Sequence, residues 1–150
     1  MVPNKTRVFL KTLDEINEQI KQYKEEMDNI RESMEANDVH TDYDEEGSKG
    51  ELLADFEKYA GYLNNAQKMK ETLQRIDREH YSETIQFGSV VETKNRFYFV
   101  AVPLGKITMD DESTVNVIST EAPIFEKLKG KKKGDTFTLK DEEVEILGVH

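Results

Sequence analysis

Eight residues in the first quarter of the chain, Phe9, Leu13, Ile16, Ile20, Tyr23, Met27, Ile30 and Met34, follow one another at intervals of 4, 3, 4, 3, 4, 3 and 4. A mean period of 3.5 keeps these side chains on one stripe of an α-helix, whereas a strand would scatter them over two faces. The residues between them are mostly charged or polar, so the stripe is a coiled-coil seam and not one side of a thick core. Asn4 or Thr6 suits the cap position at its start. The pattern stops near Ala36. A second seam follows, Leu52, Phe56, Tyr59, Leu63, Ala66, Met69, Leu73 and Ile76, with one irregular 3-3 step at Ala66. Neither helix can bury its stripe alone. Joined by a short connection, the two are expected to lie antiparallel and bury each other's stripes. Residues of about 6 to 78 are therefore read as a helical hairpin, with helices of about 28 residues and about 40 Å.

The connection carries "TDYDEEGSKG", in which Asp42, Asp44, Glu45 and Glu46 bring four carboxylates within five residues, with Gly47 and Gly50 close behind. Turn formers dominate it, and it falls at the far end of the expected hairpin. As a bare string it reads first as a solvated acidic turn. A calcium loop is a second reading: acids at loop positions one, three and five and glycine at six match the EF-hand spacing. That match fails at position twelve, where Leu53 stands in place of the bidentate Glu. A third reading is a partial magnesium site. Two carboxylates hold that ion weakly by themselves but can complete its shell when phosphate oxygens and other carboxylates supply the rest.

Beyond Tyr81 the residue types change. "TIQFGSVVET", "NRFYFVAVPL" and "STVNVIST" are rich in β-branched and aromatic residues and read as strands. "APIFEKLKG" reads as a short helix, with Pro123 in its first turn and Gly130 at its end. "KKKGDTFTLKDEEVEILGV" reads as two further strands around "LKDEE". The expected fold is α+β: a coiled-coil hairpin over residues 1–80, then a small antiparallel sheet with one helix over 81–150.

Composition narrows the function classes. The 150 residues include no cysteine, which excludes disulfides, thiolate zinc sites and cysteine nucleophiles. A formal net charge of −10 argues against sequence-independent duplex binding, which needs a basic footprint. No apolar run reaches membrane-spanning length, so the expectation is a cytoplasmic protein without a membrane partner. Lys127, Lys129, Lys131, Lys132 and Lys133 read as a solvated turn leading into a hairpin. His40, His80 and His150 form no pair with metal-ligand spacing on a helix. Neither a Ser/His/Asp arrangement nor a glycine-rich phosphate loop is visible.

These parts in this order resemble the bacterial transcript-cleavage factors GreA and GreB. The resemblance spans nearly the whole chain. It rests on "IQFGSVV", similar to the family's FG-small-V strand, and on "VISTEAPIFEKLKGKKKGDTFTL", similar to its Ser-Pro-hydrophobic to Gly-Asp stretch. At the tip it aligns Asp42 and Glu45 with the family's Asp-x-x-Glu. The resemblance implies an FKBP-like C-terminal domain that docks on RNA polymerase, with Ala122, Pro123, Ile124 and Phe125 as the docking segment. It implies a coiled coil that enters the polymerase's secondary channel. Asp42 and Glu45 would help bind a second Mg2+ there, shared with the polymerase active site, at the 3′ end of backtracked nascent RNA. The implied factor is a monomer that stimulates the polymerase's own cleavage and is not itself an enzyme. Tyr43, Asp44 and Glu46 depart from the family's tip and resemble the four-acid tips of anti-cleavage Gre homologues, which makes channel inhibition the alternative. Ala122 replaces the family's usual Ser, and Lys58, Lys68, Lys70, Arg75 and Arg78 are scattered along the second helix without forming a clear patch.

Overall fold

The computed structural model describes residues 4–39 and 45–150, with backbone alone at 37–39 and 45–48. Helix α1 spans Lys5–Val39 and α2 spans Glu45–Leu73. Both are longer at the connection than the seams indicate. α1 continues through Asn37 and Asp38, and α2 already contains Gly47 and Gly50. Propagating a helix adds one hydrogen bond per residue fixed, so poor helix formers at the end of a long helix are carried along. The start of α1 is capped by Asn4, whose Oδ1 accepts the Arg7 N–H at 3.2 Å. Thr6 lies inside the helix.

The chain divides into two compact units. Ile16–Lys68 is helical throughout its described length. Its seam residues from Ile16 to Met34 and from Leu52 to Ala66 are all buried or half-buried, as the 3.5-residue period requires. Tyr23 packs against Tyr59 and Tyr62 with ring centroids 6.3 and 5.5 Å apart, and Arg31 lies 5.7 Å over the Phe56 ring. Numbers rising along α1 meet numbers falling along α2, so the two helices run antiparallel in this unit. The irregular step at Ala66 keeps a small residue in the seam, and Ala66 is buried.

The other unit combines the N-terminal segment through Glu15 with Met69–His150. It contains a six-stranded sheet made of β1 (Val90–Thr93), β2 (Phe97–Val100), β3 (Gly105–Thr108), β4 (Thr114–Ile118), β5 (Thr136–Leu139) and β6 (Glu142–Val149). Helix α3 spans Pro123–Leu128. The strand order is β3-β4-β2-β1-β6-β5. The α+β class is as read from the sequence, with one correction: the sheet is mixed. β2 and β4 are parallel, with Phe99 opposite Val117. The chain leaves β2, forms β3 at the edge and returns as β4 between the two, so β4 must run the same way as β2. β3 was not expected from the sequence, because its four residues bury only Ile107.

Gly88 explains why "TIQFGSVVET" is not one strand. Its φ is +94°, a conformation that L side chains rarely adopt, and its N–H donates to Val100 O. The Ser89 N–H donates to Gln86 O, closing a turn, and β1 begins only at Val90. The hairpin at "LKDEE" is a two-residue turn: Lys140 and Asp141 both have positive φ, and Leu139 pairs with Glu142.

Both faces of the sheet are used. One packs Val91, Tyr98, Val100 and Ile146 with Ile85, Phe137 and the α3 residues Phe125 and Leu128. On the other, Val90, Phe99, Ile107, Val115 and Val117 are buried. The helices of the same unit contribute buried Val8, Phe9 and Leu73; α2 ends at Leu73, short of the expected limit near 78, and Ile76 is buried just beyond it. A Cβ added at Gly88 would meet Ile76 at 3.3 Å.

Candidate functional site

Two segments carry site residues singled out by sequence, and a third gathers polar residues that were not. The acidic segment comes first. Asp42, Tyr43 and Asp44 lie outside the described residues, as does His40. Glu45 and Glu46 open α2, so the backbone places the acidic run at the junction between the two long helices. Among the described residues no group of three or more His, Asp or Glu side chains could hold a metal ion. The donor set proposed for Mg2+, Asp42 and Glu45, offers two hard carboxylate ligands, which suits one ion shared with another active site and not a self-contained cage.

The second segment is the start of α3. Ala122 occupies the cap position in extended conformation, with φ −66° and ψ 140°, and offers no side-chain hydrogen bond to the helix. Pro123 is the first helical residue, which its ring geometry favours, and it is exposed. Ile124 is half-buried and packs against the core, and Phe125 is inside it at 6% exposure. Of the four residues expected to face a partner, Pro123 offers the most surface, with the edge of Ile124 beside it. The lysine run is a turn held by its own backbone. Lys132 N–H donates to Asp135 Oδ2, Ile85 N–H donates to Lys131 O, and the Lys127 ammonium donates to Thr138 O at 2.8 Å.

The third segment was not read as a site. Lys5, in the first turn of α1, is 5% exposed. Its ammonium donates to His80 O at 2.6 Å and lies 5.0 Å over the Tyr81 ring. Burial pushes this ammonium below its ordinary value, and the negative charge of Asp77 opposes that shift. Lys5 lines a cavity of about 210 Å³ together with Arg75, Asp77, Ser82 and Ser89. The only sequence-level signal was a charged residue one turn before the buried Val8 and Phe9, and surface lysines give the same signal. Of the scattered bases, Arg78 is spent on the Phe9 ring at 5.0 Å and Lys58 lies 5.3 Å over the Tyr59 ring. His150 has a buried Nε2 with no hydrogen-bond partner among the described residues, beside Gly148, where a Cβ would approach that atom to 3.0 Å. Among the described residues, no helix is long and apolar enough to cross a membrane.

No family model matches the chain, and no curated protein does. Among solved structures, it is similar to the GreA factor homolog 1 (Gfh1) protein of Thermus thermophilus, at 17% identity and a TM-score of 0.34, covering 92% of this chain and 94% of that one. A second structure, of the transcription factor Gfh1, gives 19% identity and a TM-score of 0.35 over 100% of this chain and 96% of that one. Gfh1 of Thermus aquaticus gives 19% and 0.34 over 91% and 92%.

Proposed function

We propose that this protein is a Gre-type transcription elongation factor that binds RNA polymerase and delivers Asp42 and Glu45 to its active site through the secondary channel. The observation that carries this reading is the position of the acidic run. It joins Val39 of α1 to Glu45 of α2, at the end of a paired two-helix seam, while the sheet unit lies elsewhere in the chain. A seam of half-buried side chains suits a two-helix element that presents a few residues at its connection. Pro123 and the edge of Ile124 are the surface that α3 offers to the polymerase.

Asp42 and Glu45 would contribute carboxylate oxygens to a Mg2+ shared with the polymerase and the RNA phosphate. When bound, such an ion lowers the pKa of a coordinated water and stabilises the charge that develops in phosphodiester hydrolysis. The role of this chain is to position two oxygen ligands; the nuclease chemistry belongs to the polymerase. An overall acidic chain is compatible with this task, because docking on a protein does not require a grip on duplex DNA.

Asp44 and Glu46 favour a second reading, in which the crowded acidic tip occupies the channel and inhibits synthesis or cleavage. One experiment separates the two. Backtracked elongation complexes with the cognate polymerase are incubated with the protein, and both RNA release and nucleotide addition are followed. Faster RNA cleavage, lost in Asp42→Asn, supports the activator. Slower nucleotide addition, relieved by neutralising Asp44 and Glu46, supports the inhibitor. If neither rate responds to the protein or to any tip substitution, both readings fail.

A further inference from the structure

Lys5 is a largely buried cation whose electrostatic partner, Asp77, forms no ion pair with it. Among the described residues, its ammonium has one hydrogen-bond acceptor, the carbonyl of His80, and no carboxylate within ion-pairing distance. Lysines this deeply buried are rare unless paired, because removing an ammonium from water is costly. Lys5 lines a cavity of about 210 Å³, large enough to admit water or a small ion.

The rest of the wall has a consistent character. Arg75 presents a guanidinium that has no ion pair among the described residues. Ser82, Gln86 and Ser89 also line it, with their polar groups engaged locally: Ser82 Oγ with Thr84, Ser89 Oγ accepting the Gln86 N–H, and the Gln86 amide 3.4 Å from His80 Nε2. Asp77 is the one carboxylate of the lining, and its Oδ1 already accepts the Glu79 N–H at 3.0 Å. Two cations therefore stand against one carboxylate that is partly engaged. Gly88 and Ser89 form the turn whose positive φ brings the backbone against Ile76, so this part of the wall is held by the fold and not by a free loop.

We propose that this cavity is a binding site for a phosphoryl oxyanion, held by the Lys5 ammonium and the Arg75 guanidinium. A phosphoryl group presents several acceptor oxygens at once, which matches a guanidinium fork beside a point-charge ammonium better than a two-oxygen carboxylate does. The bound group supplies the close ion pair that Asp77 does not form with Lys5. It also ties the first turn of α1 to residues 75–89, which belong to the same compact unit. The site is independent of the acidic tip and of any action on a polymerase.

The test uses the full-length protein and inorganic phosphate, with chloride at matched ionic strength as the baseline and acetate as a carboxylate control. Calorimetric titration is expected to show saturable phosphate binding and little response to acetate. Thermal unfolding is expected to shift upward with phosphate concentration, as for any ligand that binds only the folded state. Arg75→Gln, at an exposed position, is expected to weaken binding about tenfold or more, the effect of losing one charge-assisted contact. Lys5→Met is expected to remove binding; if that variant does not fold, Arg75→Gln carries the test. Titration with glycerol phosphate separates the sources: tighter binding than inorganic phosphate assigns an organic phosphate, and equal or weaker binding assigns the free ion. Absence of saturable phosphate binding, or binding that Arg75→Gln leaves unchanged, overturns the proposal.

Discussion

In Ile16–Lys68 only Ile16, Ile30 and Ala66 are fully buried among the described residues, and the rest of the seam is half-buried. In the sheet unit, Val90, Val91, Phe99, Val100, Val115 and Ile146 have no exposure at all. A two-helix seam covers each stripe from one side, so water reaches the flanks of every contact. A sheet buried on both faces excludes water from whole side chains. Stability should therefore be concentrated in the sheet unit, while the helical pair relies on many small contacts, among them the Tyr23, Tyr59 and Tyr62 cluster.

The comparison is most exposed to failure at its largest expected effects. Phe99→Ala should cost about 3–5 kcal/mol and Ile30→Ala about 2 kcal/mol, the high and low ends of the range for buried truncations. Denaturant unfolding measures both. Hydrogen exchange adds the sharper test: Ile30→Ala should release amides of 16–68 while the sheet amides keep their protection. Equal loss of protection in both units would show that they do not open separately.

Two glycines provide a finer probe. Gly88→Ala puts a Cβ on a residue with φ +94° and 3.3 Å from Ile76, and should destabilise by about 1–2 kcal/mol. Gly61, inside α2, would meet nothing within 4 Å, so Gly61→Ala should stabilise by up to about 1 kcal/mol through helix propensity alone. Thermal unfolding should move in opposite directions for the two. A shift of the same sign would mean that one of these environments is misread. The smallest expected effect is at α3. Ala122→Ser supplies the missing cap and should add about 0.5 kcal/mol; no change would indicate that the serine hydroxyl points elsewhere.

Much of this contrast was legible in the chain. Every seam residue from Phe9 to Met34 and from Leu52 to Leu73 is buried or half-buried, because a period near 3.5 keeps them on one helix face. Pro123 and Gly130 marked the ends of α3 correctly, since each has a conformational reason to stand there. The turn at Lys140 and Asp141 was located without a glycine, from the strands on either side. Errors came where a residue's meaning depends on distant partners. β3 has one buried residue and no pattern of its own. The parallel pairing of β2 with β4 depends on which strand enters between them. For the acidic segment the backbone contributes its position between α1 and α2, and the described side chains begin beyond it.

What the sequence determined by itself is local and periodic: two amphipathic helices, a change to β-forming residues after Tyr81, and an acidic run at the helix junction. Periodicity suffices there because helix and strand geometry convert spacing directly into direction. What only the tertiary structure decided is burial across long separations. It carried a lysine from the start of α1 to the carbonyl of His80, 75 residues away in sequence, and left it lining a cavity. No local rule distinguishes that lysine from the exposed ones. Its environment is made by segments that meet only when the chain has folded.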